Sequence, residues 1–156
     1  MDALYFDDFK PGDRFESAGK TLSEAEILDF AWRYDPQSIH SDKVAAEASP
    51  YGGLIASGFQ TLVTGFRLIW QTNVLDAASL GSPGMEYLKW THPVRPGDTL
   101  HTVIEILDSR PSSSKPDRGV CRIRWDTFNQ HDELVLSLIA VHILARRPDE
   151  QPGDGS

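Results

Sequence analysis

The spacing of apolar residues changes once along this chain: upstream of about residue 85 they recur at helical intervals, and downstream they alternate. In the upstream part, Ile27, Phe30, Ala31 and Tyr34 keep to one helical face. Thr21 and Ser23 precede them as cap candidates, each with a glutamate three positions on, Glu24 and Glu26. The helix predicted by this pattern should stop at Asp35-Pro36, because proline disfavours helical backbone in the residue before it. The stretch from Asp35 to His40 is accordingly expected to be irregular backbone rather than helix.

A second run, Ile55, Phe59, Leu62, Val63, Phe66, Ile69 and Trp70, carries hardly a charge apart from Arg67 and predicts a largely buried helix. Its start reads Ser57-x-x-Gln60, in which a hydroxyl can cap one free amide while the glutamine reaches back to another. The amides of Gly58 and Phe59 would then face outward at the positive end of the helix dipole, and glycine lets a ligand approach closely.

Near the start, Phe9 to Phe15 reads as a turn built on Pro11-Gly12-Asp13 that feeds a first strand. Further strands are predicted over 85–94, 99–107, 120–128 and 134–145, joined by turns at 95–98, 108–119 and 129–133, as an antiparallel meander. Cys121, Ile123 and Trp125 alternate with Arg122, Arg124 and Asp126, as a sheet with one covered face requires. The strand over 134–145 is apolar on both faces and belongs at the sheet centre or a subunit interface. One long apolar helix followed by antiparallel strands predicts an α+β fold with the sheet wrapped around that helix.

Composition narrows the class. At 156 residues with 40% hydrophobic residues, the chain suits one domain with a real core, taken as 1–147, followed by a Pro- and Gly-containing tail at 148–156 expected to be disordered. The nearly unbroken apolar run Leu138 to Ala145 is far short of a membrane span, so no membrane partner is expected. The first residues lack the basic and apolar regions of a secretory signal, and the single cysteine, Cys121, can form no internal disulfide; a cytoplasmic setting is expected. A net charge of −8 argues against nucleic acid as a partner. No zinc-type ligand spacing occurs, and no metal or cofactor is expected.

The candidate chemistry lies in Asp35-Pro36-Gln37-Ser38-Ile39-His40, an acid and an imidazole close together, with Gly58 following at the predicted helix start. An acid, a base and a helix start in one stretch are what adding or removing water next to a carbonyl requires. Residue by residue, other readings stay open. Asp35 before proline also fits a helix-ending turn, His40 a hydrogen-bonded loop residue and Ser57 a plain helix cap. Arg67 could reach a phosphate or an acidic acyl group, snorkel to the surface, or pair across a dimer. Cys121 reads as core, His92, His101, His131 and His142 as structural, and Trp70, Trp90 and Trp125 as packing residues.

Three motifs taken together, Tyr34 to His40, Gly53 to Gly58, and Thr91-His92-Pro93-Val94-Arg95-Pro96-Gly97-Asp98, resemble the MaoC-like dehydratases, the group that includes the (R)-specific enoyl-CoA hydratases. The resemblance runs over roughly residues 5 to 147, and its Asp-to-His and His-to-Gly spacings both match. It implies a hot-dog fold, an antiparallel sheet curled round a long central helix, and pairing into a homodimer or higher homo-oligomer with sites near the interface. It further implies reversible hydration of a 2-enoyl thioester, with coenzyme A or an acyl carrier as part of the substrate and no cofactor. Asp35 would act as base, His40 as acid, and Gly58 and Ser57 would bind substrate. A gap of about 4–6 Å between the two side chains, one water wide, would suit that chemistry.

The match departs from the family pattern at three positions. Gln37 stands where asparagine is usual, Ser38 where proline is usual, and Ser57 where histidine commonly precedes the glycine. Two other functions are carried alongside the hydratase, a non-catalytic acyl-CoA binder and an acyl-CoA thioesterase. Hot-dog thioesterases generally place a carboxylate on the central helix, and no Asp or Glu occurs between Ser57 and Thr72.

Overall fold

Ser23 opens the first helix as the pattern predicts: its hydroxyl accepts the Glu26 amide, and the Glu26 carboxylate accepts the Ser23 amide in return. The structure is a computed structural model describing residues 2–149, so positions 150–156 of the expected tail lie outside the described residues. Helix α1 covers Glu24–Tyr34 and ends at Asp35, ahead of Pro36. Thr21 does not cap it. It lies in a two-residue strand, β2 (Lys20–Thr21), that follows β1 (Arg14–Glu16). Two short helices follow, α2 (Ser38–Ser41) and α3 (Lys43–Glu47). The first corrects the expectation of irregular backbone up to His40, because the restriction imposed by Pro36 falls on Asp35 and leaves the backbone beyond Gln37 free to turn.

The long helix α4 spans Gly58–Trp70. Its inner face, which includes Thr61, Gly65, Leu68 and Ile69, packs on the sheet, and Gly65 lets it come close: a Cβ there would stand 2.6 Å from the Thr127 hydroxyl and 3.0 Å from that of Thr102. The helix is less buried than its apolar pattern suggests. Phe59, Val63 and Phe66 are 57%, 50% and 47% exposed, forming an outward stripe that the described residues leave uncovered. Apolar periodicity records that a face is hydrophobic, and is blind to whether the chain or something else covers it.

The sheet comprises β1, β2, β3 (Gly84–Trp90), β4 (Thr99–Pro111), β5 (Arg118–Phe128) and β6 (Leu134–Ala145), with order β1-β4-β5-β6-β3 and β2 paired to β4. All named pairs are antiparallel. β4, β5 and β6 form the expected meander, but β3 does not neighbour β4. It crosses to pair with β6 and becomes an edge, which leaves the doubly apolar β6 inside the sheet. Cys121, Ile123 and Trp125 are buried and their neighbours Arg122 and Arg124 form ion pairs on the other face. The result is the α+β hot-dog arrangement, a curled antiparallel sheet holding one long helix. Among the described residues, no helix is long and apolar enough to cross a membrane.

Candidate active site

Three segments meet at the N-terminal end of α4. The end of α1 delivers Asp35, α2 delivers His40, and the extended residues Leu54 to Ser57 pass behind both. This last segment is tied in place by Ile55 N–H donating to the Ile39 carbonyl (3.1 Å) and Ala56 N–H donating to that of Val94 (2.8 Å). Val94 belongs to the third sequence motif, so all three motifs converge at one corner.

The Nδ1 atom of His40 lies 2.8 Å from the Ile55 carbonyl oxygen. A carbonyl only accepts, so this partner assigns a proton to Nδ1 and leaves Nε2 as the acceptor nitrogen of the neutral ring. Nε2 lies 3.5 Å from Asp35 Oδ2. That is closer than the one-water gap expected, so a water touching both groups has room beside the pair and not between them. Each oxygen of the carboxylate also has a fixed donor: Ser57 Oγ donates to Oδ2 at 2.6 Å and Gln37 Nε2 donates to Oδ1 at 2.8 Å, which leaves acceptor sites free on both. Burial is the largest influence on Asp35 and pushes its carboxyl up. The Ser57 and Gln37 donors and the neighbouring His40 together outweigh it, and hold the carboxyl below the ordinary carboxylate range. Asp35 is therefore ionised near neutral pH.

These groups border a cleft of about 470 Å³ whose walls include Asp35, His40, Gly58, Phe59, Trp90 and His92. Asp35, His40 and Gly58 thus come together as the spacing suggests. Ser57 does not face the cleft. It is fully buried, caps α4 by accepting the Phe59 amide (3.2 Å), and supports Asp35 from behind. Gln60 does not complete a capping box either, since its side-chain nitrogen donates to the Glu26 carbonyl on α1.

Trp90 is the residue that sequence reasoning assigned to packing and the structure places at the cleft. Its indole lies against Gly58 so closely that a Cβ at that position would stand 2.5 Å from the ring, and its Nε1 donates to the Gly58 carbonyl at 2.8 Å. The space left by the glycine is thus filled by indole. The only signal for this was position, immediately before the motif that starts at Thr91. Arg67 lines a separate cleft with Lys20, Gln60 and Gln71, away from the dyad. Cys121 is buried, and burial pushes its thiol up, away from the reactive thiolate. Among the described residues, no group of three or more His, Cys, Asp or Glu side chains gathers that could hold a metal.

Comparison with known proteins gives a consistent picture. Residues 8–121 match the family described as MaoC like domain. The chain is 31% identical over 133 residues to the uncharacterized protein YdeM of Bacillus subtilis, covering 85% of this chain and 93% of that protein. It is 26% identical over 151 residues to mesaconyl-CoA hydratase of Cereibacter sphaeroides, covering 95% of this chain but only 43% of that longer protein. Among solved structures, a MaoC-like dehydratase from Rhodospirillum rubrum superposes with a TM-score of 0.86 at 40% identity, over 94% of this chain and 99% of the other. A Mycobacterium tuberculosis protein with a double hotdog fold superposes at 0.73 with 26% identity, over 97% of this chain and 47% of its own length.

Proposed function

Starting from the fact that the chain belongs to the MaoC-like domain family, we propose that it is a hydratase that adds water reversibly to a 2-enoyl thioester, with coenzyme A as the carrier. The single observation that carries this reading is the approach of His40 Nε2 to Asp35 Oδ2 at 3.5 Å on the wall of a cleft that also includes Gly58.

Asp35 accepts a proton from the bound water as its oxygen bonds to the β carbon. The double-bond electrons move toward the thioester, and the α carbon takes a proton from Nε2 of His40, which enters the step as the imidazolium and leaves it neutral; passing the proton gained by Asp35 back to His40 restores the starting state. His40 is suited to the acid role because Nδ1 is committed to the Ile55 carbonyl, leaving Nε2 as its exchangeable position. Negative charge develops on the thioester oxygen, where the Gly58 amide would act as donor. Such a pre-aimed donor is typically worth about 3–4 kcal/mol in the transition state. No step requires a metal. The reverse reaction removes the hydroxyl of a 3-hydroxyacyl thioester by the same path.

The outward stripe of Phe59, Val63 and Phe66, together with Met85, Tyr87 and Trp90 on the edge strand β3, supports a homodimer that covers both. Sedimentation should give twice the chain mass. A second reading, an acyl-thioester binder without turnover, is favoured by the indole seated on Gly58. Mixing the purified protein with a panel of 2-enoyl-CoA thioesters, and following loss of the conjugated absorbance, separates the two. Turnover of at least one supports the hydratase, and tight binding with no turnover of any supports the binder.

A further inference from the structure

One hydroxyl joins the dyad to the long helix, and the inference drawn from it rests on the hydratase reading above for its catalytic meaning. Ser57 is 0% exposed, so its Oγ has no solvent to turn to. It makes two contacts: it donates to Asp35 Oδ2 at 2.6 Å and accepts from Phe59 N–H at 3.2 Å. A hydroxyl has one proton, and once that proton is committed to the carboxylate, its lone pairs are what the helix amide meets. The carboxylate therefore touches the first turn of α4 through a single intervening atom.

We propose that Ser57 is a positioning residue that couples Asp35 to the start of α4, so that the base and the Gly58 amide draw on the same helix N-terminus. During hydration Asp35 loses negative charge by taking the water proton while the thioester oxygen gains it at Gly58. As charge builds on the thioester oxygen, the helix end, which favours one nearby negative charge, sees that charge move from Asp35 to Gly58 rather than appear anew, until His40 protonates the α carbon. The same short segment holds the other partner, since the Ile55 carbonyl fixes His40 two residues before Ser57. Gln37 is the remaining donor to the carboxylate, on Oδ1. His40 from α2 is the titratable group in contact with it, with Tyr51 and His92 on other walls of the cleft.

The test uses Ser57→Gly and Ser57→Ala. Both remove the hydroxyl, but glycine retains most of the value of a helix cap and alanine does not. Carboxyl carbon NMR should show Asp35 titrating at higher pH in both variants, by the same amount, although Ser57→Ala melts lower. With an enoyl-CoA substrate that the wild type turns over, the acid limb of kcat/KM should move up in step. The kcat should fall about 10- to 100-fold with KM little changed, the range for losing a hydrogen bond to a charged group. Adding Ser57→Gly to Asp35→Asn should cost nothing further. An unchanged Asp35 titration in folded Ser57→Gly overturns the proposal whether or not the protein is an enzyme. A shifted titration in a protein that turns over no thioester keeps the coupling and removes the hydratase.

Discussion

His40 and His142 are equally buried, each 5% exposed, and differ in what their ring nitrogens meet. His40 has a backbone carbonyl on one nitrogen and a carboxylate near the other, at the edge of a cleft. His142 sits on β6 in the apolar layer, stacked on Trp125, with its Nε2 accepting the indole N–H at 3.2 Å. With no acid beside it, burial alone lowers its pKa to about 4, so it is a neutral packing residue at physiological pH. Depth inside a fold therefore does not tell the two apart; the company of their nitrogens does.

The sharpest way to break this contrast is to remove each histidine in turn. His40→Ala or Asp35→Asn should lower enoyl-CoA hydration by about 10²–10⁴-fold with the fold retained by circular dichroism. His142→Gln, which keeps an acceptor for the indole, should leave turnover within about a few-fold. Comparable losses in both would end the distinction.

Acid should next expose the cost of the buried neutral histidine. Unfolded His142 takes up a proton below about pH 6.5 and folded His142 does so only below about 4, so stability falls as pH drops across that window. The shift corresponds to about 3 kcal/mol. Urea unfolding at a series of pH values should show this slope in the wild type and a shallower one in His142→Gln. Asp35 acts in the same direction at lower pH: its depressed carboxyl adds stability above its unfolded value of 3.8 that is lost on further acidification.

The packed side of α4 has no spare room at Gly65. Gly65→Ala would press a methyl into the Thr102–Thr127 hydroxyl pair and should cost about 1–3 kcal/mol by thermal or urea unfolding. The smallest effect is expected at Gln37, whose side chain is exposed and supplies only the second donor to Asp35. Gln37→Ala should reduce kcat less than about tenfold, the lower end for a hydrogen bond to a charged group.

Local signals carried much of this architecture. Capping chemistry locates α1, alternation locates β5, a doubly apolar run locates β6, and the interval between Asp35 and His40 survives folding as a 3.5 Å contact. Relations across the chain were beyond such signals. Nothing in the period of residues 84–90 says that this strand pairs with β6, and nothing local to Trp90 says that it will rest on Gly58, 32 positions earlier. Ser57 was legible as a cap, which it is, but its second bond depends on the path of α1. The stripe on α4 was legible as apolar and illegible as uncovered, because periodicity carries no information about what covers it.

The seat of the Trp90 ring on Gly58 has an evolutionary corollary. Position 58 is not free to vary alone: any side chain there meets the indole at 2.5 Å, so it demands a smaller or displaced residue at 90. Homologues with a side chain at 58 should therefore carry a smaller residue at 90, and a lineage that trades the tryptophan for a small residue gains room at the helix start.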